Sequence, residues 1–321
     1  MWLVIAVSAY FINAGVYLAD KFLLSKRIHS SIVYAFYVGI WSVFNLCLLI
    51  FNPWFPTFGE LMLDLFAGLL FLFTLVFWYK ALHQSEATRV VPIVGGLVPV
   101  FSFLLSSIFL GATLTNQELL GFLILIAGGV LISIKRTRFY LLRKAVDRVR
   151  MIFGDVLGEI HARFRPTQRL IANSVVSAFF FAAFYVLMKY IYLHQPFVGG
   201  FVWSRMGTFI GALAMLAVPV WRKGIAEHRK ATTAPKNLSF FLGVRLLAAL
   251  AFIMLNWAIS LGNVALVNAL QGVQYLFFIL FAVIISARFP KVFKEELGKE
   301  VLIQKLIGVG LVSLGLYILV I

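Results

Sequence analysis

Three amides stand at intervals of three inside one continuously apolar run: Asn268, Gln271 and Gln274. On a helix that spacing places them along one stripe. An amide facing hydrocarbon goes unpaired, so the stripe must face neighbouring helices or a wet cavity. Two chemistries fit it: hydrogen bonding between helices, or hydrogen bonding to a small polar solute. Asn13, Asn45 and Asn256 are further amides in apolar runs. Tyr17, Trp41, Trp78, Tyr79, Tyr185, Trp203 and Trp257 offer rings that would stack on a solute or shape a cavity. Arg205 is a cation in the same kind of surroundings and would attract an anionic group.

Tyr17 and Lys21 lie four apart, on one helix face, and Tyr185 and Lys189 repeat the pair. A lysine near the membrane midplane costs about 2.5–3.5 kcal/mol, so it points into a cavity or snorkels to the interface. Both readings stand: interfacial anchors, or charged gating groups flanking a solute path, with Asp20 beside Lys21 as its neutraliser. Were Lys21 and Lys189 both to face the cavity, an anionic solute would be favoured over a cation.

Catalytic chemistry finds little support. Asp20, Asp64, Glu86, Glu60 and Glu118 are the acids near apolar runs, and none forms a spaced carboxylate pair. None of the histidines has metal-ligand spacing, and Cys47 is alone, which excludes disulfides and cysteine metal sites. There is no phosphate-cradling glycine loop. The expectation is therefore no enzyme, no cofactor, no metal and no ATP-driven motor.

The elements that carry these residues follow from composition. Hydrophobic residues make up 62% of the chain and charged residues 12%, more apolar surface than a soluble domain of this length can hide. About 20 apolar residues cross a bilayer core. The chain divides at that length into about ten spans, near 2–23, 32–51, 61–80, 89–110, 117–134, 169–192, 198–220, 239–261, 264–286 and 303–321. The runs are continuously apolar and do not alternate, which excludes a β-barrel. The first run is too long for a signal peptide and lacks a basic leader and a small-residue cleavage site, so it reads as a retained span.

All the lysines and arginines except Lys189, Arg205 and Arg245 lie in or beside the loops after spans 1, 3, 5, 7 and 9. The positive-inside rule makes those loops cytoplasmic and puts both termini outside. The net charge of +16 is thus a signal of orientation and lipid headgroups, with no nucleic-acid partner implied. The lipid bilayer and a small-molecule solute are the expected partners, the cell membrane the expected location, and the oligomeric state is left open.

One stretch occurs twice, from Trp78 to Ile132 and from Asn256 to Leu319. Ala81 aligns with Ala258 and Gly95 with Gly272 at one constant offset. After an insertion, Gln117 aligns with Gln304, Gly121 with Gly308 and Gly128 with Gly315. Five spans per half is an odd number, so the second half enters the membrane from the opposite side. This predicts an all-α polytopic membrane protein of two inverted five-helix repeats, 1–134 and 169–321, joined by a basic amphipathic cytoplasmic connector, 135–168. Gly121 and Gly128, with Gly308 and Gly315, form smooth helix-packing seams that the pseudo-symmetry pairs with each other. Pro92, Gly95, Gly96 and Pro99 are expected to loosen span 4 near mid-membrane. The polar link Trp221–Lys236 is expected to be flexible, and the insertion Arg288–Glu300 to be a short surface element.

The run from Trp78 to Lys135 carries Trp-Tyr-Lys-Ala-Leu, Val-Val-Pro-Ile, Val-Pro-Val-Phe and Phe-Leu-Gly-Ala-Thr-Leu-Thr-Asn-Gln-Glu. It resembles the EamA-type domain of the drug/metabolite transporter superfamily, and the glycine seams resemble the pairing seam of small multidrug-resistance transporters. The resemblance implies ten spans as two inverted repeats and transport of a metabolite, without choosing which. Ala112 stands where the family often has glutamate. No carboxylate lies mid-membrane in span 1, so the proton coupling of the small multidrug relatives is not carried over. Ten-span relatives commonly keep both termini in the cytoplasm, against the charge bias here. The expected function is a secondary transporter or permease for a small polar or amphipathic metabolite, working by alternating access. The alternatives are a flippase for a lipid or lipid-linked sugar, or a membrane protein that transports nothing.

Overall fold

A computed structural model describes residues 1–26, 31–84, 87–133, 168–232, 235–288 and 299–320. The described residues are helical, without strands. In chain order the helices are α1 (Trp2–Lys26), α2 (Ser31–Trp41) with a 3₁₀ segment (Ser42–Ile50), α3 (Phe58–Gln84), α4 (Ala87–Leu110) and α5 (Asn116–Ser133). Then follow α6 (Gln168–His194), α7 (Phe197–Met215), α8 (Pro219–Thr232), α9 (Pro235–Leu261), α10 (Val264–Ala269), α11 (Gln271–Arg288) and α12 (Lys299–Val320). Among the described residues, six segments are long and apolar enough to cross a membrane: Ile32–Ile50, Phe58–Ala81, Ile93–Leu110, Ala172–His194, Phe197–Met215 and Leu242–Leu261. Trp2–Val16, Asn116–Leu131, Val264–Phe277 and Ile307–Leu319 are apolar but shorter.

Local chemistry starts α3 and α5 in the same way. The carboxylate of Glu60 accepts from the Thr57 backbone N–H at 2.8 Å and from its hydroxyl at 2.7 Å. Glu118 accepts from the Thr115 N–H at 2.9 Å, while the Thr115 hydroxyl accepts from the Glu118 N–H at 3.2 Å. Each Thr-x-x-Glu thereby satisfies backbone donors that a helix start leaves orphaned. Glu60 and Glu118 are capping groups, a role their spacing from Thr57 and Thr115 would have revealed.

The most extensive helix pair among the described elements is α5 with α12. Gly128 and Gly315 at this seam leave no room for a side chain. A Cβ on Gly128 would come within 2.9 Å of the Val312 backbone N and 3.0 Å of the Gly308 carbonyl, and one on Gly315 within 3.1 Å of the Gly121 carbonyl. Two amides clasp the pair from opposite ends. Gln117 donates to the Ile318 carbonyl at 2.8 Å, and Gln304 donates to the Leu131 carbonyl at 2.7 Å. Beyond this seam, α1 packs on α9 and α11, α3 on α6 and α7, and α4 on α6 and α10.

Several expectations are corrected. Helix α4 runs unbroken through Pro92 and Pro99. Its glycines admit neighbours instead: the Tyr275 hydroxyl fills the space a Cβ on Gly95 would need, and Val130 lies 2.9 Å from a Cβ on Gly96. The break falls in the ninth apolar run, between α10 and α11 at Leu270. The Val267 carbonyl, which faces Gln271 in a continuous helix, accepts the Tyr10 hydroxyl at 3.0 Å, and a tightened turn pairs Val273 N–H with Leu270 O. The amide stripe is consequently divided, Asn268 on α10 and Gln271 and Gln274 on α11.

The second run does not stay α-helical either. Ser42 bonds back to Val38 O at 3.2 Å and Asn45 to Ser42 O at 2.9 Å, where the chain tightens to 3₁₀. The link expected to be flexible contains α8, which packs on α2 and buries Ile225. Residues 135–167 of the connector and 289–298 of the insertion lie outside the described residues.

Candidate functional site

Helices α3 and α7 meet backbone to backbone, and this contact decides where Arg205 sits. A Cβ on Gly68 would collide with backbone at Ser204 and Thr208, and one on Gly207 with the carbonyl of Leu65. The Thr208 hydroxyl seals the contact by donating to Gly68 O at 3.0 Å. Close approach of this kind lets small residues replace side-chain packing with backbone contact.

One turn back on α7 from this contact, Arg205 is turned inward and is 5% exposed. Its guanidinium carbon lies 4.2 Å from the centre of the Phe71 ring (α3) and 4.6 Å from that of Phe252 (α9). Phe184 (α6) and Phe201 (α7) stand at 5.8 and 5.9 Å. The eight residue steps from Phe197 to Arg205 rise about 12 Å, well inside a hydrocarbon core of about 30 Å. Its Nε and Nη2 have no hydrogen-bond partner. Stacking on rings offsets part of the burial cost, about 2 kcal/mol for a desolvated contact, but gives the N–H edge no acceptor.

Phenols and an amide complete the surroundings. Tyr185 and Tyr192 are within electrostatic reach of Arg205. The Tyr192 hydroxyl donates to Asn256 Oδ1 at 3.1 Å, and Asn256 Nδ2 donates to Phe252 O at 2.9 Å. Asn256 is thus held by its own helix and orients Tyr192. Above them Trp54 packs on Gly199, and Trp203 Nε1 donates to Trp54 O at 3.2 Å, closing the space over α7.

The residues singled out in the sequence are divided by this geometry. Tyr185, Arg205 and Asn256 come together. Trp78 and Tyr185 both meet the Phe181 ring, and Tyr79 meets Tyr34 edge-on. Asn268 is bonded to Ser102 Oγ on α4 at 2.8 Å, and Asn45 is spent on its own backbone. Lys189 donates to Ser260 O at 2.9 Å, near the C-terminal end of α9. Asn13, Trp41, Gln271 and Gln274 are half-buried, and Trp257 is 41% exposed. The side chains of Tyr17, Asp20 and Lys21 lie outside the described residues. Sequence reasoning missed the Phe71, Phe184, Phe201 and Phe252 cage, because four phenylalanines among 33 carry no positional signal. It also gave no role to Asp64, whose only signal was a carboxylate within an apolar run.

Residues 1–134 match the EamA-like transporter family. This segment is an EamA-like transporter unit. The resemblance drawn from the Trp78–Lys135 motifs therefore holds over this segment, and the apolar spans make the chain a multi-pass integral membrane protein. No curated protein matches it in sequence. Among 14 matching chains of solved structures, one crystal structure is 15% identical with a TM-score of 0.65, covering 99% of this chain and 96% of its own. That likeness extends the shared fold beyond the EamA-like unit to nearly the whole chain.

Proposed function

We propose that the chain is a secondary transporter moving a small metabolite with an anionic group by alternating access, and that Arg205 pairs with that group. The observation that carries this reading is a guanidinium buried near mid-membrane with two nitrogens unpartnered. A cation in that place is expensive, and a solute carboxylate or phosphate would supply the acceptors its N–H edge lacks. Tyr192 and Asn256 would contact the polar remainder of the solute, and the phenylalanine cage would exclude water around the pair. In this reading the chain is not an enzyme.

The architecture supporting the reading is two inverted five-span repeats, 1–134 and 169–321, with the basic segment 135–168 between them on the cytoplasmic side. Pairing of α1 with α9 is then the counterpart of α3 with α6, and α1 with α11 that of α4 with α6. The reciprocal clasps of Gln117 and Gln304 fit the same two-fold relation. The charge bias places both termini outside.

The test is uptake into proteoliposomes from a panel of labelled monocarboxylates, phosphate esters, neutral amides and organic cations. Anionic members should be taken up, and Arg205→Gln should cut their uptake at least tenfold. Transport of cations alone, or equal uptake by Arg205→Gln, would overturn the reading.

A further inference from the structure

Asp64 lies on α3, fully buried, and neither carboxyl oxygen has a hydrogen-bond partner. It is placed two turns from Phe71, the ring under Arg205, on the side toward the start of α3. The charged and titratable groups around it are few. Glu60 stands four residues earlier on its own helix face, near the helix start. From α6, Tyr192 is within electrostatic reach. Gln195, which follows α6, lies alongside the carboxyl without closing a hydrogen bond of regular geometry, and its own Oε1 is buried and unpartnered. From α7 the charged group is Arg205, turned into the phenylalanine cage with no bond to Asp64. Lys189 on α6 is bonded to Ser260 O.

We propose that Asp64 is the proton-binding group that couples this transporter to a proton gradient, so that an anionic solute and a proton cross together. Charge balance supplies the logic. A carboxylate and a guanidinium buried in one bundle sum to zero, which lets the empty protein change conformation without carrying net charge through the membrane. Once a solute anion pairs with Arg205, a charged Asp64 would leave one excess negative charge in a low-dielectric interior, at a cost of several kcal/mol. Binding one proton converts Asp64 from carboxylate to neutral acid and restores the zero sum. Tyr192, within reach of both Asp64 and Arg205 and bonded to Asn256, connects the proton site to the solute site. Glu60, one turn nearer the helix start, marks the way to water.

This inference rests on an anionic solute at Arg205, so the experiment separates the two. Reconstituted wild-type protein and Asp64→Asn, a nearly isosteric change, are compared in two measurements. In proteoliposomes, an inward proton gradient should raise accumulation of the transported monocarboxylates at least tenfold in the wild type, with little effect of an imposed membrane potential. Asp64→Asn should lose the gradient-driven accumulation while keeping solute exchange at equal pH. Gradient-driven accumulation retained by Asp64→Asn, or a wild type indifferent to the gradient, would overturn the proposal. Infrared difference spectroscopy under pH titration needs no solute and remains decisive even if no anion on the panel is transported. A neutral carboxylic-acid band sensitive to heavy water should be present in the wild type and missing in Asp64→Asn. The same band in both proteins would remove Asp64 as the proton site. Asp64→Glu, which keeps the titrating group, should restore both the band and the coupling if Asp64→Asn assembles poorly.

Discussion

Asn268 and Ser102 join α10 to α4 through a single buried hydrogen bond, the amide donating to the hydroxyl at 2.8 Å. The bond lies where the ninth apolar run breaks, so it fixes the short helix α10 against α4. Replacing Ser102 with alanine leaves a buried amide short of an acceptor. Membrane hydrogen bonds average about 0.6 kcal/mol and reach about 1.7. Ser102→Ala should therefore lower the melting temperature in detergent by a few degrees, and Asn268→Leu should do so at least as much. If both melt like the wild type, the bond contributes nothing and Asn268 is free for another role.

The α5–α12 seam makes a sharper prediction. A Cβ on Gly128 meets Val312 N at 2.9 Å and Gly308 O at 3.0 Å, both backbone atoms that cannot swing aside. Gly310, on α12, has nothing within 4 Å of an added Cβ. Gly128→Ala should destabilise by about 1–3 kcal/mol, the usual cost of overpacking. Gly310→Ala should be neutral or gain up to about 1 kcal/mol from helix propensity. A chemical or thermal unfolding series on the two variants checks this, and equal effects would mean the seam does not set stability.

These two cases show which parts of the molecule the sequence disclosed. The glycines seven apart were legible because only one residue type lets two helix backbones touch, and their spacing matches a helix repeat. The pair Gln117 and Gln304 stood out for a related reason, since the two similar stretches of sequence align one amide with the other, and each amide bonds a carbonyl of the facing helix. The Arg205 cage was not, because burial of Phe71 and Phe252 beside one guanidinium depends on how far Gly68 and Gly207 let α3 and α7 approach. Nor was the break at Leu270: Pro92 and Pro99 argued for a loosened α4, yet α4 is continuous from Ala87 to Leu110 while a hydroxyl from Tyr10, distant in sequence, engages Val267.

The approach of α3 to α7 should control access to Arg205. Gly207 presses on the Leu65 carbonyl and Gly68 on the Ser204 backbone, so a methyl at either position must push the helices apart. In a Cys47→Ser background, a single cysteine at Ser204, which is fully buried, should react slowly with a water-soluble maleimide. Adding Gly207→Ala should speed labelling at least tenfold if this contact is what excludes water. Unchanged labelling would place the closing contact elsewhere.

Lys189 tests whether cations other than Arg205 serve the solute. Its ammonium donates to Ser260 O at 2.9 Å, next to the last residue of α9, where the final carbonyls of a helix have no intrahelical partner. A cation there also meets the negative end of the helix dipole, worth roughly 0.3–1 kcal/mol at partly exposed sites. A lysine so placed holds two helices, α6 and α9, at the same end of the bundle. Lys189→Met should therefore lower the melting temperature by a few degrees and leave the concentration of anion giving half-maximal uptake within twofold of wild type. Arg205→Gln should show the opposite pattern, with little change in melting and a large loss of uptake. A tenfold weaker affinity in Lys189→Met with unchanged melting would instead put this lysine in the solute path, and would make two cations, not one, the source of anion selectivity.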